Sequence, residues 1–228
     1  MDVLIEYLPS VLGGLWTTIG LALTSLALAV FFGIVGASCK LSHSWALQTA
    51  GGLYTTLIRG VPDLVLMLLL FFGGQIAINE LGFATGLWGY IEISPFLAGS
   101  FTIGFIFGAY MTETFRGAFL AIPKGQIEAA QALGIPSSSY LRRIIWPQII
   151  PHALPNFTNN WLVLMKTTAL VSIIGLQDLV YNANQAGRAS REPFLFLMVS
   201  FIVFLLLTML SDVGLRSLSR RYSHKSGE

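Results

Sequence analysis

From residue 7 to residue 39 the chain carries no charged side chain. A helix needs about 20 mostly apolar residues to cross the hydrocarbon of a bilayer, and this stretch exceeds that. In lipid its backbone groups find partners only within a helix or a closed barrel. The remaining sequence repeats the pattern in shorter apolar runs. Of 228 residues, 54% are hydrophobic and only 11% are charged, against roughly 25% charged in soluble domains. So few charges cannot cover a water-facing surface. The expectation is an all-α, polytopic membrane protein. It forms a single transmembrane domain over residues 1–228, with five spanning helices near residues 11–36, 55–78, 93–115, 154–176 and 193–213.

Five spans place the two termini on opposite sides, and Lys and Arg mark the cytoplasmic one. Lys40, Arg59, Arg116, Lys124, Arg142, Arg143, Arg216, Arg220, Arg221 and Lys225 fall on one side of this topology. The other side holds Arg188 and Arg191 beside Asp2, Glu6, Glu80, Glu92, Asp178 and Glu192. This predicts a periplasmic N-terminus and a cytoplasmic C-terminus. The opening MDVLIEYLPS is acidic and lacks the basic n-region of a signal peptide, so the first apolar segment is expected to stay in the protein.

Several function classes are excluded. A net charge of +2 is too small to imply nucleic acid. The lone Cys39 rules out an internal disulfide and a cysteine metal cluster. His43, His152 and His224 are scattered, without metal-ligand spacing, so no metal site is expected. No G-x-S-x-G elbow and no G-x-x-x-x-G-K-S/T phosphate loop occurs. No enzyme site is read, and if the chain does ATP-driven work, another polypeptide must bind ATP.

Ser25, Ala29, Gly33 and Ala37 place a small residue at every fourth position of the first span, and Gly104 and Gly108 do the same in the third. Such faces allow close backbone approach, either within the chain or between two copies. Two charges stand inside expected spans. Asp63 follows Pro62, which breaks the hydrogen-bond ladder, and Lys166 lies in the fourth span. Intramembrane charges are functional candidates by default. Asp63 either pairs with Arg59 or Lys166 and holds helices together, or faces a translocation path and meets a cationic solute group. Asn159, Asn160, Thr167 and Thr168 either line that path or bond neighbouring helices. Glu113 is read as a partner of Arg116 or as an interfacial charge.

The loop at residues 117–150 breaks the membrane pattern. It contains EAAQALGIPSSSYLRRIIWPQIIP, residues 128–151. A short helix over residues 128–133 is expected to end at Gly134, with Pro136 preventing continuation. Ser137, Ser138 and Ser139 offer a cap for a second helix over residues 140–146. Pro147, Pro151 and Pro155 punctuate the return to the membrane. Arg142 and Arg143 suit anionic headgroups, and Ala129, Ala130 and Ala132 leave a smooth surface fit for a groove on another protein.

Glu128, Ala129 and Ala130, followed by Gly134, Ile144 and Pro147 at fixed spacing, resemble the EAA loop of permease subunits of bacterial ABC importers. Trp146 stands where that pattern commonly has Leu. Residues 55–73, 113–134 and 154–179 resemble the polar amino-acid branch of the family. Within it they are most similar to the Q-type permeases of histidine and lysine/arginine/ornithine importers. The resemblance implies a coupling loop that docks in a cleft of a cytoplasmic ATPase, with Glu128 shaping the loop and its N-terminal cap, Gly134 making the turn, and Arg142 or Arg143 anchoring it or touching the ATPase. It further implies a second, M-type permease chain, two ATPase subunits carrying ATP and Mg, and a periplasmic binding protein. On this chain no cofactor is implied. Asp63, Lys166, Asn160 and Thr168 become candidates for the path of polar, basic L-amino acids across the bacterial inner membrane. An ion-coupled secondary transporter and a non-transporting scaffold are the rival readings.

Overall fold

The computed structural model describes residues 2–223, whose regular structure is entirely helical. Helix α1 spans Asp2–Leu41 and α2 spans Trp45–Gly60. Helix α3, Asp63–Thr85, contains a wider π-turn at Leu69–Gly73. Helix α4 spans Pro95–Leu120 and α5 spans Lys124–Ala132. Helix α6, Ser137–Ile174, has a π-turn at Leu141–Ile145 and a tight 3-10 end at Thr168–Ile174. Helices α7, Leu179–Ser190, and α8, Pro193–Ser223, follow. Helices α1, α3, α4 and α8 are long and apolar enough to cross a membrane; α6 and α7, bent by 51°, supply a fifth crossing if they count as one span.

Helix α4 is the central element, and α1 packs along it. Lipid tails give no hydrophobic drive for two apolar helices to associate, so close approach through small residues must do the work. A Cβ on Gly104 would lie 2.5 Å from Cβ of Leu28, and one on Gly108 would lie 2.5 Å from Cβ of Phe32. From the other side, Gly33 meets Met111 and Gly36 meets Thr112. These pairs advance together along both helices, which are therefore parallel. Ser25 and Ala29 are fully buried in the same contact. The small-residue faces of α1 and α4 are thus used for packing within the chain.

Each end of the contact has its own lock. At one end Val11 packs with Leu179, Ala183 and Phe196, joining α1, α7 and α8. Asp178 caps α7 by accepting from Tyr181 N at 2.8 Å, and Leu179 N donates to the Thr18 hydroxyl at 3.1 Å. Gly14 permits this approach, since a Cβ there would lie 2.5 Å from the Asp178 carbonyl carbon. At the other end Lys40 of α1 pairs with Glu113 of α4 and donates to Thr55 of α2 at 3.0 Å. Arg116 donates twice to the second Glu113 oxygen, at 3.0 and 3.1 Å. The expected Glu113–Arg116 pair is present, and Lys40 extends it across three helices.

Some expected helix bounds are corrected. The helix expected over residues 55–78 is broken at Val61 and Pro62, so Arg59 belongs to α2 and Asp63 opens α3. The residue before a proline is pushed from helical to extended backbone, and Val61 has φ −113° and ψ 141°. The separate helix expected over residues 140–146 is instead part of α6, which runs unbroken from Ser137 through the segment expected as the fourth span. The serines form no side-chain cap; Pro136 precedes the helix. Pro147, Pro151 and Pro155 do not interrupt it. A proline lacks the N–H and crowds the carbonyl one turn back, and the π-turn ending at Ile145 widens the helix before Pro147. The third and fifth helices extend to Leu120 and Ser223, past the expected 115 and 213.

Replacing Gly108 by Val drives a side chain into Phe32 and should destabilise the protein by about 1–3 kcal/mol. Gly117→Ala, where nothing lies within 4 Å of the added Cβ, should not. Thermal unfolding of the purified variants in detergent checks this; an unchanged midpoint for Gly108→Val contradicts the packing account.

Candidate functional site

The segment that joins α4 to α6 folds as a helix–turn–helix. Helix α5 starts after Pro123 and ends in a double hydrogen-bonded turn: Ile135 N donates to Ala130 O at 3.0 Å and Gly134 N donates to Gln131 O at 2.9 Å. This Schellman closure needs a left-handed residue, and Gly134 supplies it with φ +67°. Pro136, extended at ψ 141°, then starts α6. Ile127 and Tyr140 pack on a cluster of Ala118, Ile122, Ile145 and Ile149. Gln148 donates to Gln126 at 2.6 Å, tying α5 to α6 a second time. The turn is therefore fastened to the end of α4 and to the root of α6 together.

The outer face of α5 is uncovered. Glu128, Ala129, Ala132 and Leu133 are exposed, Leu133 at 78%. Ala130 is corrected: helical periodicity turns it inward, to 3% exposure. The capping role of Glu128 is also corrected, because α5 begins at Lys124 and its first turn contains no acid. Leu133 was not singled out from sequence; its signal was an apolar residue directly before the turn glycine. Arg142, Arg143 and Pro147 are exposed on the first turns of α6. Neither arginine makes an ion pair among the described residues.

The intramembrane candidates divide into two groups. Asp63 is half-buried at the first position of α3, where a carboxylate complements the helix N-terminus. It forms no ion pair with Arg59 or Lys166. Arg59 instead stacks on Tyr110, 5.2 Å from the ring centroid. Tyr110 lies about 22 Å along α4 by helical rise, so Arg59, four residues before Asp63, sits beside the middle of the central helix. Asn160 is used within the chain: it donates to Thr114 at 3.0 Å. Thr168 is fully buried and donates to Met165 O at 2.7 Å. Lys166 is exposed and unpaired among the described residues. On α6 it continues a stripe of exposed residues, His152, Asn156, Asn159 and Val163, at three- and four-residue steps. A polar stripe on a crossing helix avoids lipid and faces water or another chain. Asn156 and His152 were missed from sequence, although their spacing from Asn159 and Lys166 marks one helix face. Among the described residues no group of three or more His, Cys, Asp or Glu is placed to hold a metal ion.

Residues 29–224 match the family model described as binding-protein-dependent transport system inner membrane component. The chain is 50% identical over 213 residues to the histidine/lysine/arginine/ornithine transport system permease protein HisQ of Escherichia coli (strain K12), covering 93% of each. It is 39% identical over 199 residues to the octopine transport system permease protein OccQ of Rhizobium meliloti, covering 87% of this chain and 84% of that one. A crystal structure of an amino acid ABC transporter with histidines superposes with TM-score 0.79 at 28% identity over 96% of both chains. The chain belongs to the family of binding-protein-dependent transport system inner membrane components, the permease subunits of ABC transporters.

Proposed function

We propose that the chain forms the translocation path for basic L-amino acids in an ATP-driven importer of the inner membrane, with the N-terminus periplasmic and the C-terminus cytoplasmic. The observation that carries this reading is the exposed α5 face, held on a Schellman turn and joined through residues 134–136 to α6. The relatives' substrates support the solute class: arginine, lysine and ornithine carry a cationic side chain. The partners are a second permease chain of the M type, two ATPase subunits and a periplasmic binding protein.

The mechanism follows from the connections. Glu128, Ala129, Ala132 and Leu133 dock in a cleft of one ATPase subunit, small side chains allowing close approach and Leu133 filling an apolar site. Gly134 fixes the angle between α5 and α6. Arg143 flanks the contact, and Arg142 anchors the root of α6. When ATP closes the ATPase pair, α5 moves with its subunit, and the Gln126–Gln148 bond and the shared apolar cluster pass the displacement to α6. The lower part of the polar stripe, at His152 and Asn156, moves with it. Asp63 gives the path a carboxylate for a guanidinium or ammonium group, a charge-assisted pair of the stronger kind. Lys166 offers a cation to the solute carboxylate. Asn160 and Thr168 shape the path indirectly, by fixing α6 on α4 and closing its last turn.

The turn is testable by a graded series. Nothing lies within 4 Å of a Cβ at Gly134, so only the left-handed backbone opposes substitution. Asn tolerates that region, Ala costs about 1 kcal/mol and β-branched Val more. Arginine uptake in cells should fall in the order Gly, Asn, Ala, Val, with membrane insertion unchanged. Equal uptake across the series refutes the coupling role of the turn. Asp63→Asn keeps the shape and removes the charge. It should lower arginine uptake about tenfold or more, the worth of a hydrogen bond to a charged group. Uptake at the wild-type rate in reconstituted vesicles removes Asp63 from the path.

A further inference from the structure

An apolar groove runs up the outside of the bundle between α1, α4 and α6. Its lower chamber, about 580 Å³, lies between the last turns of α1 at Ala37 and Leu41 and the first turns of α6 at Ser138 and Arg142. Its upper chamber, about 260 Å³, reaches Val30 on α1 and Phe157 on α6 and has a wholly apolar lining. Ile34, Phe115, Trp146 and Ile149 line both, which makes the two chambers one continuous groove.

The groove is polarised along its length. Its polar side chains, Ser38, Ser138 and Arg142, stand only at the end next to α5. Arg142 is exposed there without an ion pair among the described residues. The acid of the neighbouring α4, Glu113, is already shared by Lys40 and Arg116. From Leu41 to Val30 the rise along α1 is about 16 Å, against about 15 Å for half of a bilayer's hydrocarbon core. Trp146, 52% exposed, stands part-way along, as an aromatic ring does at a membrane interface.

We propose that this groove binds one anionic phospholipid of the cytoplasmic leaflet, with an acyl chain along α1 and α6 and the phosphate on Arg142. The leaflet assignment rests on the orientation given under the proposed function. Charge complementarity and a length of one monolayer favour a lipid over a second protein chain, which would need no single cation at one end and no apolar track of that depth. The site lies at the root of α6, so the lipid occupies the wall of the lever that α5 drives.

Native mass spectrometry of the assembled importer, delipidated and then titrated with phosphatidylglycerol or phosphatidylethanolamine, tests the site. Phosphatidylglycerol should bind more tightly, and Arg142→Gln should weaken it about fivefold, the worth of one basic residue at an anionic surface, with phosphatidylethanolamine unchanged. Ser138→Trp, which plugs the exposed mouth, should weaken both. Equal binding of the two lipids together with no effect of Arg142→Gln overturns the proposal. So does a groove found filled by the second permease chain, read as a cross-link from residue 138 to that chain. ATPase retention in the same spectra reports on the coupling surface separately, so the two readings can fail independently.

Discussion

The backbone-close packing of α1 on α4 is the contact on which the other elements depend. It uses no large side chain on the glycine side, and it brings the two axes together from Gly104 and Leu28 to Thr112 and Gly36. Because α1 is held, the Asp178 cap and α7 have a surface to dock on at one end. Because α4 is held, the Lys40–Glu113–Arg116 cluster fixes its other end. The α5 helix hangs from that end. A surface that passes force on needs a firm attachment, and α5 has two, at the end of α4 and at the root of α6.

Movement is left to α6. The π-turn at Leu141–Ile145 and the three prolines weaken its hydrogen-bond ladder near the root, while the remainder stays helical to Ile174. Prolines and π-turns are where helices bend. The helix can thus be displaced at its root while its upper half remains against α4 through Asn160 and Thr114. Helices α3 and α8 are largely uncovered in the single chain.

Much of this was legible from residues alone, for physical reasons. Long uncharged runs have few alternatives to a membrane helix, and Gly134 before Ile135 and Pro136 marks a turn that few sequences allow otherwise. Pro62 marks the break in the sequence, but the uncharged run from Leu64 to Asn79 is short for a span, which favours a helix drawn back through the proline. The structure supplies the length at the other end instead, with α3 running on to Thr85. The prolines of α6 misled in the opposite sense: local propensity argued for a stop, and packing against α4 with one π-turn carried the helix through. Asn159 and Asn160 are adjacent, and only the rotational register of α6 decides which one bonds to α4 and which stays exposed. Ala130 was misplaced for the same reason. The partner of Lys40 lies 73 positions away on α4, a pairing that no local pattern encodes.

The central claim is that the outer face of α5 sits in an ATPase subunit. A photo-cross-linking residue at position 133, in place of Leu133, measures this directly in the assembled importer within native membranes. The account predicts a covalent product with a nucleotide-binding subunit, and none from a control position on the buried side of α5, such as Ala130. Uptake at the wild-type rate with no such product from position 133 would contradict it, since α5 would then not be the surface through which the ATPase acts.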